Sequence, residues 1–241
     1  MEFSFKIDAI ALRVLGLSTL DELLAIECNI DSIDRKIKNP KPKFIPMMTA
    51  RRLSDGCKLA VDSAMELAAK NSIDAVIFSS ASGELEHNYK VLNSTVLKTD
   101  VSPTDFSMSV HNAAVGNFTI LSKSKIPSSS VSAGIDSFVM ALTDAYTMIK
   151  TGAKKVLVCD YDVTIPEFFK IYLDKSYPTY PHALALVISE GDEYKVKSED
   201  KTQNSIYSEF ASVRFMHEYA KNSEEFLITG RKNNYRFIKH S

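Results

Sequence analysis

The 241-residue sequence carries three cysteines, Cys28, Cys57 and Cys159, an odd number with no paired spacing. They read as reduced thiols of a cytoplasmic protein. Cys159 closes the strand-like run Lys155 to Asp160, and ligand clefts of α/β sheets open at such strand ends. A thiol there acts as a nucleophile only if a base or a positive field holds it as thiolate, and no base lies near it in sequence. Its plainer reading is a small buried core residue. An acyltransferase or thioesterase using Cys159 or Cys57 is the enzymatic alternative. Asp160 and Asp162 could hold a cation, yet two carboxylates at a strand end read more simply as a solvated turn. The five histidines (His87, His111, His182, His217, His240) are scattered, with no Cys-x-x-Cys or His-x-x-x-His pair, so no metal site is expected. Phosphate-loop, Gly-x-Gly-x-x-Gly and Gly-x-Ser-x-Gly patterns are all missing, and eight glycines offer little for a nucleotide cradle. No cofactor is expected. Arg51-Arg52-Leu53-Ser54 has the form of a kinase site but reads as a basic pair before a helix start.

Whatever these side chains do, the elements around them are those of an α/β layered fold. Hydrophobic residues make up 45% and charged residues 24%, which excludes a disordered tail and a disulfide miniprotein. Twenty-nine basic against thirty acidic residues leave a charge of −1, so no whole-chain field gathers nucleic acid. No apolar run is long enough to span a membrane, and the N-terminus lacks the order of a signal peptide. Phe3 to Leu15 reads as an opening strand, and Lys36 to Lys43 as a Lys/Pro connector. From Ser54, the apolar stripe Cys57, Val61, Ala64, Met65 and Ala68 predicts a helix. Ile73 to Phe78 predicts a strand buried on both faces, followed by the loop Ser79 to Gly83.

Ser102-Pro103-Thr104-Asp105 is a helix start, and Phe106, Val110, Ala114, Phe118 and Leu121 predict one helical face from there. A second helix is predicted from about Ile135 to Lys150, with Phe138, Val139, Leu142, Ala145, Tyr146 and Ile149 inward and Gly152 ending it. Lys155 to Asp160 and Ala183 to Ser189 are further central strands, separated by an aromatic-rich excursion over Tyr161 to Tyr180. Residues 192 to 205 read as a charged hairpin edge or loop, Phe210 to Ala220 as a helix and Tyr235 to Ile238 as a last strand. One α/β domain over 1–241 accounts for this, with its core at about 45–190 and a terminal helix and edge strand in 191–241. Lys232, Arg236 and Lys239 form a basic stretch near the C-terminus, suited to an acidic partner or simply to an edge strand.

The run Ser102-Pro103…Asn112-x-x-x-Gly116-x-x-Thr119-Ile120…Pro127-Ser128…Ser132-Ala133-Gly134-Ile135 resembles the core of the β-ketoacyl synthases. That resemblance implies a thiolase-like architecture: a layered mixed β-sheet flanked by helices, equivalent to a ketosynthase N-terminal half. In that family an Asn-x-x-x-Gly-x-x-Ser/Thr-Ile helix leads through a Pro turn to a Thr-Ala-Cys nucleophile at the start of a buried helix. The ungapped alignment places the nucleophile on Ile135, and a shift of one residue would place it on Gly134 or Asp136. None of the three is a thiol. The two histidines that support condensation belong to the family's C-terminal half, for which this chain shows no counterpart. His182 matches the strand that closes the N-terminal half and is neither of them.

The chain is therefore similar to the short, non-catalytic subunits called chain length factors, of the kind found in aryl polyene pigment clusters. The resemblance covers roughly residues 45 to 190. It implies a pseudoenzyme that pairs with a full-length ketosynthase as a heterodimer, stabilises it and shapes the acyl tunnel for polyene or fatty-acid-like elongation. Phe106, Met108, Val110, His111, Asn112 and Phe118 lie on or beside the segment that meets the partner, with Ile135 and Phe138 at the site of the lost nucleophile. For Phe106 and Phe118 the alternative is ordinary core packing, and for His111 a local hydrogen bond. An acyl carrier protein is an implied transient partner, with Lys232, Arg236 and Lys239 as candidate contacts. A half-thiolase leaves one surface of its sheet to be covered, either by residues 191–241 or by the partner.

Overall fold

Among strands, the run Ala75 to Ser79 is buried at every position, as its near-continuous β-branched and aromatic sequence requires. It lies inside a seven-stranded mixed sheet. The computed structural model describes residues 1–26, 33, 37, 39, 41–175, 177–201 and 209–240. Cys28, parts of the Lys36–Lys43 connector and residues 202–208 lie outside the described residues. The strands are β1 (Glu2–Val14), β2 (Ala75–Ser79), β3 (Ser128–Val131), β4 (Lys155–Asp162), β5 (His182–Asp200), β6 (Glu225–Thr229) and β7 (Asn233–Lys239). The helices are α1 (Leu20–Ala25), α2 (Met47–Ala50), α3 (Asp55–Ala68), α4 (Leu85–Val96), α5 (Pro103–Met108), α6 (Ala113–Ser122), α7 (Ser137–Lys150), α8 (Glu167–Lys170) and α9 (Ala211–Ala220). The sheet order is β3-β2-β4-β5-β7-β6, with β1 on the other side of β5. β2 runs parallel to β3 and β4, and every other pairing is antiparallel.

Period-two alternation along β5 sends its side chains into two cores. Leu184, Leu186 and Ile188 join Phe138, Val139 and Leu142 of α7 and Val213, Phe215 and Met216 of α9. Ala183, Ala185 and Val187 face Cys57, Ala60, Val61 and Ala64 of α3 and Ala114 and Phe118 of α6. The result is helices on both faces of the sheet, the α/β layering expected from the sequence. The α3 start is as predicted: the Ser54 side chain accepts from the Cys57 amide at 3.3 Å. That bond and its burial also remove Ser54 from any kinase, so Arg51-Arg52 is a basic pair before a helix.

Three expectations are corrected. Residues up to Asp200 within the span 192–205 are neither a loop nor an edge. Tyr194 and Val196 are buried while Lys195 and Lys197 pair with Glu2, so this half of β5 is an amphipathic strand between β1 and β7. The strand around Tyr235 to Ile238 is not the edge either, because β6 lies outside it. The single helix through Phe106, Val110, Ala114, Phe118 and Leu121 is two helices separated by the turn Ser109–Asn112. Ala114 and Phe118 are buried, but Phe106 is 64% exposed and Val110 47%. α5 is also tied outside the α6 line by the His87 Nδ1–Asp105 Oδ1 contact at 2.8 Å.

The C-terminal segment covers the sheet face that the sequence left open. Phe215 of α9 packs 5.5 Å from Phe138, 5.7 Å from Tyr194, 5.9 Å from Phe226 and 5.6 Å from Phe237. Such aromatic pairs add directional contacts to the area they bury.

Candidate functional site

β2 and β4 end side by side, and their C-terminal ends carry a buried polar network. The Ser79 hydroxyl donates to Asp160 Oδ1 at 2.6 Å and the Ser80 hydroxyl to Asp162 Oδ1 at 2.8 Å. Asp162 also accepts from the Ser82 amide at 2.7 Å and the Ala81 amide at 3.3 Å, so it holds the β2–α4 loop in place. Both carboxylates are buried, which corrects their reading as a solvated turn. Burial pushes the Asp162 carboxyl up to about 6, against the opposing pull of the His182 ring. His182 is fully buried at the start of β5, its Nε2 2.9 Å from Ser212 Oγ and 3.6 Å from Asp160 Oδ2. On the other side of β4, Tyr161 donates its hydroxyl to Glu84 Oε1 at 3.0 Å, and burial raises the Glu84 carboxyl. Among the described residues no three His, Cys, Asp or Glu side chains are grouped to hold a metal ion.

β3 leads from this network into a strand-to-helix turn. Gly134 adopts φ +60°, a left-handed conformation that favours glycine, and a 3-10 turn over Gly134–Asp136 passes into α7. The α7 start is pinned by Ser137, whose Oγ accepts from the Ala133 amide at 2.9 Å and lies 2.7 Å from the Gly134 carbonyl and 3.2 Å from that of Ser80. A sharp strand-to-helix turn of this kind is where acyl-transfer enzymes expose a nucleophile. Here Gly134 is exposed, Ile135 is half-buried, and neither carries a nucleophilic atom.

The thiols are elsewhere. Cys57 and Cys159 are both buried in the α3-facing core, and desolvation raises each far above the ordinary thiol range, with Glu84 adding to the effect at Cys57. A neutral, inaccessible thiol neither attacks nor carries an acyl group. The enzymatic alternative built on these two residues is therefore not supported by their surroundings.

β3 is the outer strand on this side of the sheet, with β2 on one edge and no described strand on the other. α6 packs beside it and exposes Ile120 by 76%, while the preceding turn exposes Val110 and α5 exposes Phe106. Asn112 is also exposed, Met108 is half-buried against the core, and Phe118 is buried 5.8 Å from the Phe78 ring. Phe138 is core, packed on Phe215. His111 has both ring nitrogens engaged within the chain, at Ser130 Oγ and the Ser80 carbonyl. The segment predicted to meet a partner thus divides into exposed residues (Phe106, Val110, Asn112) and packing residues (Phe118, Phe138). The basic candidates are far along the chain on β7 and its hairpin. Lys232 is exposed, Arg236 is paired with Glu199 and Glu225, and Lys239 Nζ reaches Asn222 Oδ1 at 2.6 Å.

One element beside the site, α4, escaped the sequence reading. Leu85, Tyr89, Leu92 and Val96 recur at four, three and four residues, which is a helical signal. It is weak because its outer side faces solvent: Leu92 and Val96 are exposed, and Tyr89 stacks on Phe168 and meets Phe169 edge-on.

The profile of the family described as "Beta-ketoacyl synthase, N-terminal domain" matches residues 28–237. The chain belongs to that family. Its β-ketoacyl synthase fold is shared by a chain of "Ketosynthase (ApeO) in Complex with its Chain Length Factor (ApeC) from Xenorhabdus doucetiae", with 36% identity and a TM-score of 0.93 over 98% of this chain and 100% of that one. Two more distant structures share the fold. One is "The ishigamide ketosynthase/chain length factor", at 14% identity and TM-score 0.66 over 84% of this chain and 69% of that one. The other is an acyl-carrier protein complex, "AntDE:AntF", at 10% identity and TM-score 0.70 over 100% of both chains. No curated protein matches the chain significantly.

Proposed function

We propose that the chain is a non-catalytic chain length factor that pairs one-to-one with a full-length β-ketoacyl synthase, stabilises it and bounds the acyl tunnel during elongation of a polyene or fatty-acid-like chain. One observation carries the reading. A strand-to-helix turn at Gly134–Asp136, where the resemblance places the family's nucleophile, carries no thiol and follows an open sheet edge flanked by exposed apolar side chains. The 36% identical relative, known in a ketosynthase–chain length factor complex, supports it. In this reading β3 and the exposed Phe106, Val110 and Ile120 meet the synthase. Met108 and Asn112 line the shared tunnel, and Ile135 fills space near the lost nucleophile. Side-chain volume at these positions limits the chain, because packed atoms cannot overlap. Carrier protein visits the complex transiently, with Lys232 the most exposed of the three basic candidates. The working compartment is the cytoplasm.

Co-expression with the full-length ketosynthase of the same genome, followed by size-exclusion chromatography with light scattering, tests the pairing. Malonyl-carrier condensation is assayed for the complex and for each chain alone. A one-to-one complex, with condensation only when the synthase is present, is the expected result. A monomer that ignores the synthase and acylates itself on cysteine overturns the proposal. Phe106→Ala or Met108→Ala in the complex should lengthen the products, whereas an unchanged distribution would leave a purely stabilising subunit.

A further inference from the structure

His111 stands between the three segments that build the site. Its Nδ1 is 2.8 Å from Ser130 Oγ on β3, and that hydroxyl lies 3.2 Å from the backbone carbonyl of His111 itself. Its Nε2 is 3.2 Å from the Ser80 carbonyl in the β2–α4 loop. A carbonyl only accepts, so Nε2 donates to Ser80, and the one Ser130 proton is shared between His111 Nδ1 and the His111 carbonyl. The fit is also steric. Gly83 sits at φ +58°, and a Cβ there would stand 2.9 Å from His111 Cδ2, closer than real side chains come. The same Ser80 carbonyl accepts from Ser137 at the α7 start, so ring, loop and turn share one atom.

We infer that His111 is a positioning residue. It fastens the Ser109–Asn112 turn to the edge strand β3 and to the β2–α4 loop, and so sets where Phe106, Met108 and Val110 stand against the synthase without itself touching an acyl chain. The inference rests on the proposed pairing for its effect on product length, but the clamp belongs to this chain alone. It accounts for the break between α5 and α6. A continuous helix through 106–121 would carry His111 around its axis away from Ser130, and the two bonds to the ring hold the turn open instead. It also gives the two serines separate roles: Ser130 fixes the turn to the interface strand, and Ser80 fixes it to the loop held by Asp162.

Two measurements separate the clamp from the pairing. In the isolated full chain, His111→Ala should speed amide exchange about tenfold in 80–83 and 128–134, as expected for lost part-buried hydrogen bonds, while α9 and β7 stay protected. His111→Asn can keep the Ser130 bond and His111→Gln the Ser80 bond, so each should restore protection on one side only. If His111→Ala does not fold, this pair of variants carries the test. Unchanged exchange in both segments, or exchange raised evenly across the chain, overturns the clamp. In the complex, His111→Ala should broaden the product-length distribution while one-to-one assembly persists. A control, Val213→Ala in α9, lowers stability remotely and should leave the products unchanged. If His111→Ala and Val213→Ala shift products alike, or neither shifts them, control of length through His111 is refuted. If the wild-type chain does not bind the synthase, the pairing fails and the exchange data still decide the clamp.

Discussion

At the scale of single residues, chemistry depends on where burial leaves a charge or a proton. Cys57 and Cys159 sit in a dry core that raises both thiols, so neither should react in the folded protein. In a Cys28→Ser background, iodoacetamide at neutral pH should label no thiol before denaturation and two after it. Labelling of the native chain would return Cys57 or Cys159 to candidacy as a nucleophile. Asp162 titrates where its neighbours allow. Its buried carboxyl stands at about 6 in the fold, above the ordinary 3.8, because desolvation disfavours the charged form. The stability it contributes is therefore fully present below about pH 4 and is lost as pH rises through about 6. Relative to Asp162→Asn, the wild type should gain up to about 3 kcal/mol between pH 7 and pH 4, measured by urea unfolding at unit pH steps. Parallel stability curves for the two proteins would refute this account of Asp162.

Elements succeed here by what they cover. α9 contributes Val213, Phe215 and Met216 to the face of the sheet also covered by α7, and Phe215 meets rings from α7, β5, β6 and β7. Phe215→Ala should cost about 3–5 kcal/mol, as for other buried phenylalanines, with a matching loss in urea midpoint. A loss below about 1 kcal/mol would mean that α9 is not what closes this core. α5 has the opposite character. None of its residues is buried, and it is held by a cap at Ser102 and the His87–Asp105 contact. A short element of this kind can present side chains to a partner with little effect on the core.

For the molecule as a whole, the β3 edge and the apolar residues beside it are a surface that the fold leaves open. Exposed Ile120 and Phe106 contribute little to the stability of the chain alone. Ile120→Glu should leave thermal unfolding of the isolated chain nearly unchanged and abolish co-purification with the synthase, because a charge would be buried unpaired at the interface. Retention of a full-strength complex by Ile120→Glu would move the interface away from β3 and α6. Among the described residues no helix is long and apolar enough to cross a membrane.

Much of this was legible in the residues alone. Apolar periodicity placed α3, β2, α7, β4 and the buried start of β5, because each carries its partners' requirements in its own spacing. The ordered landmarks from Ser102 to Ile135 pointed to the ketosynthase family and to a missing thiol. The rest needed the third dimension. The split of the Phe106–Leu121 face into two helices rests on bonds from His111 to Ser80 and Ser130, 31 and 19 residues away. The burial of Asp160 and Asp162 depends on serines about 80 residues earlier in the chain. The passage of β5 beyond Ser189 between β1 and β7 reflects pairings with both ends of the chain. Local sequence determines what a segment prefers, through propensity and the period of its apolar residues. Which of its polar groups are buried, and which apolar ones are left for a partner, is decided only when distant segments meet, because hydrogen-bond satisfaction and exclusion from water belong to the assembled neighbourhood.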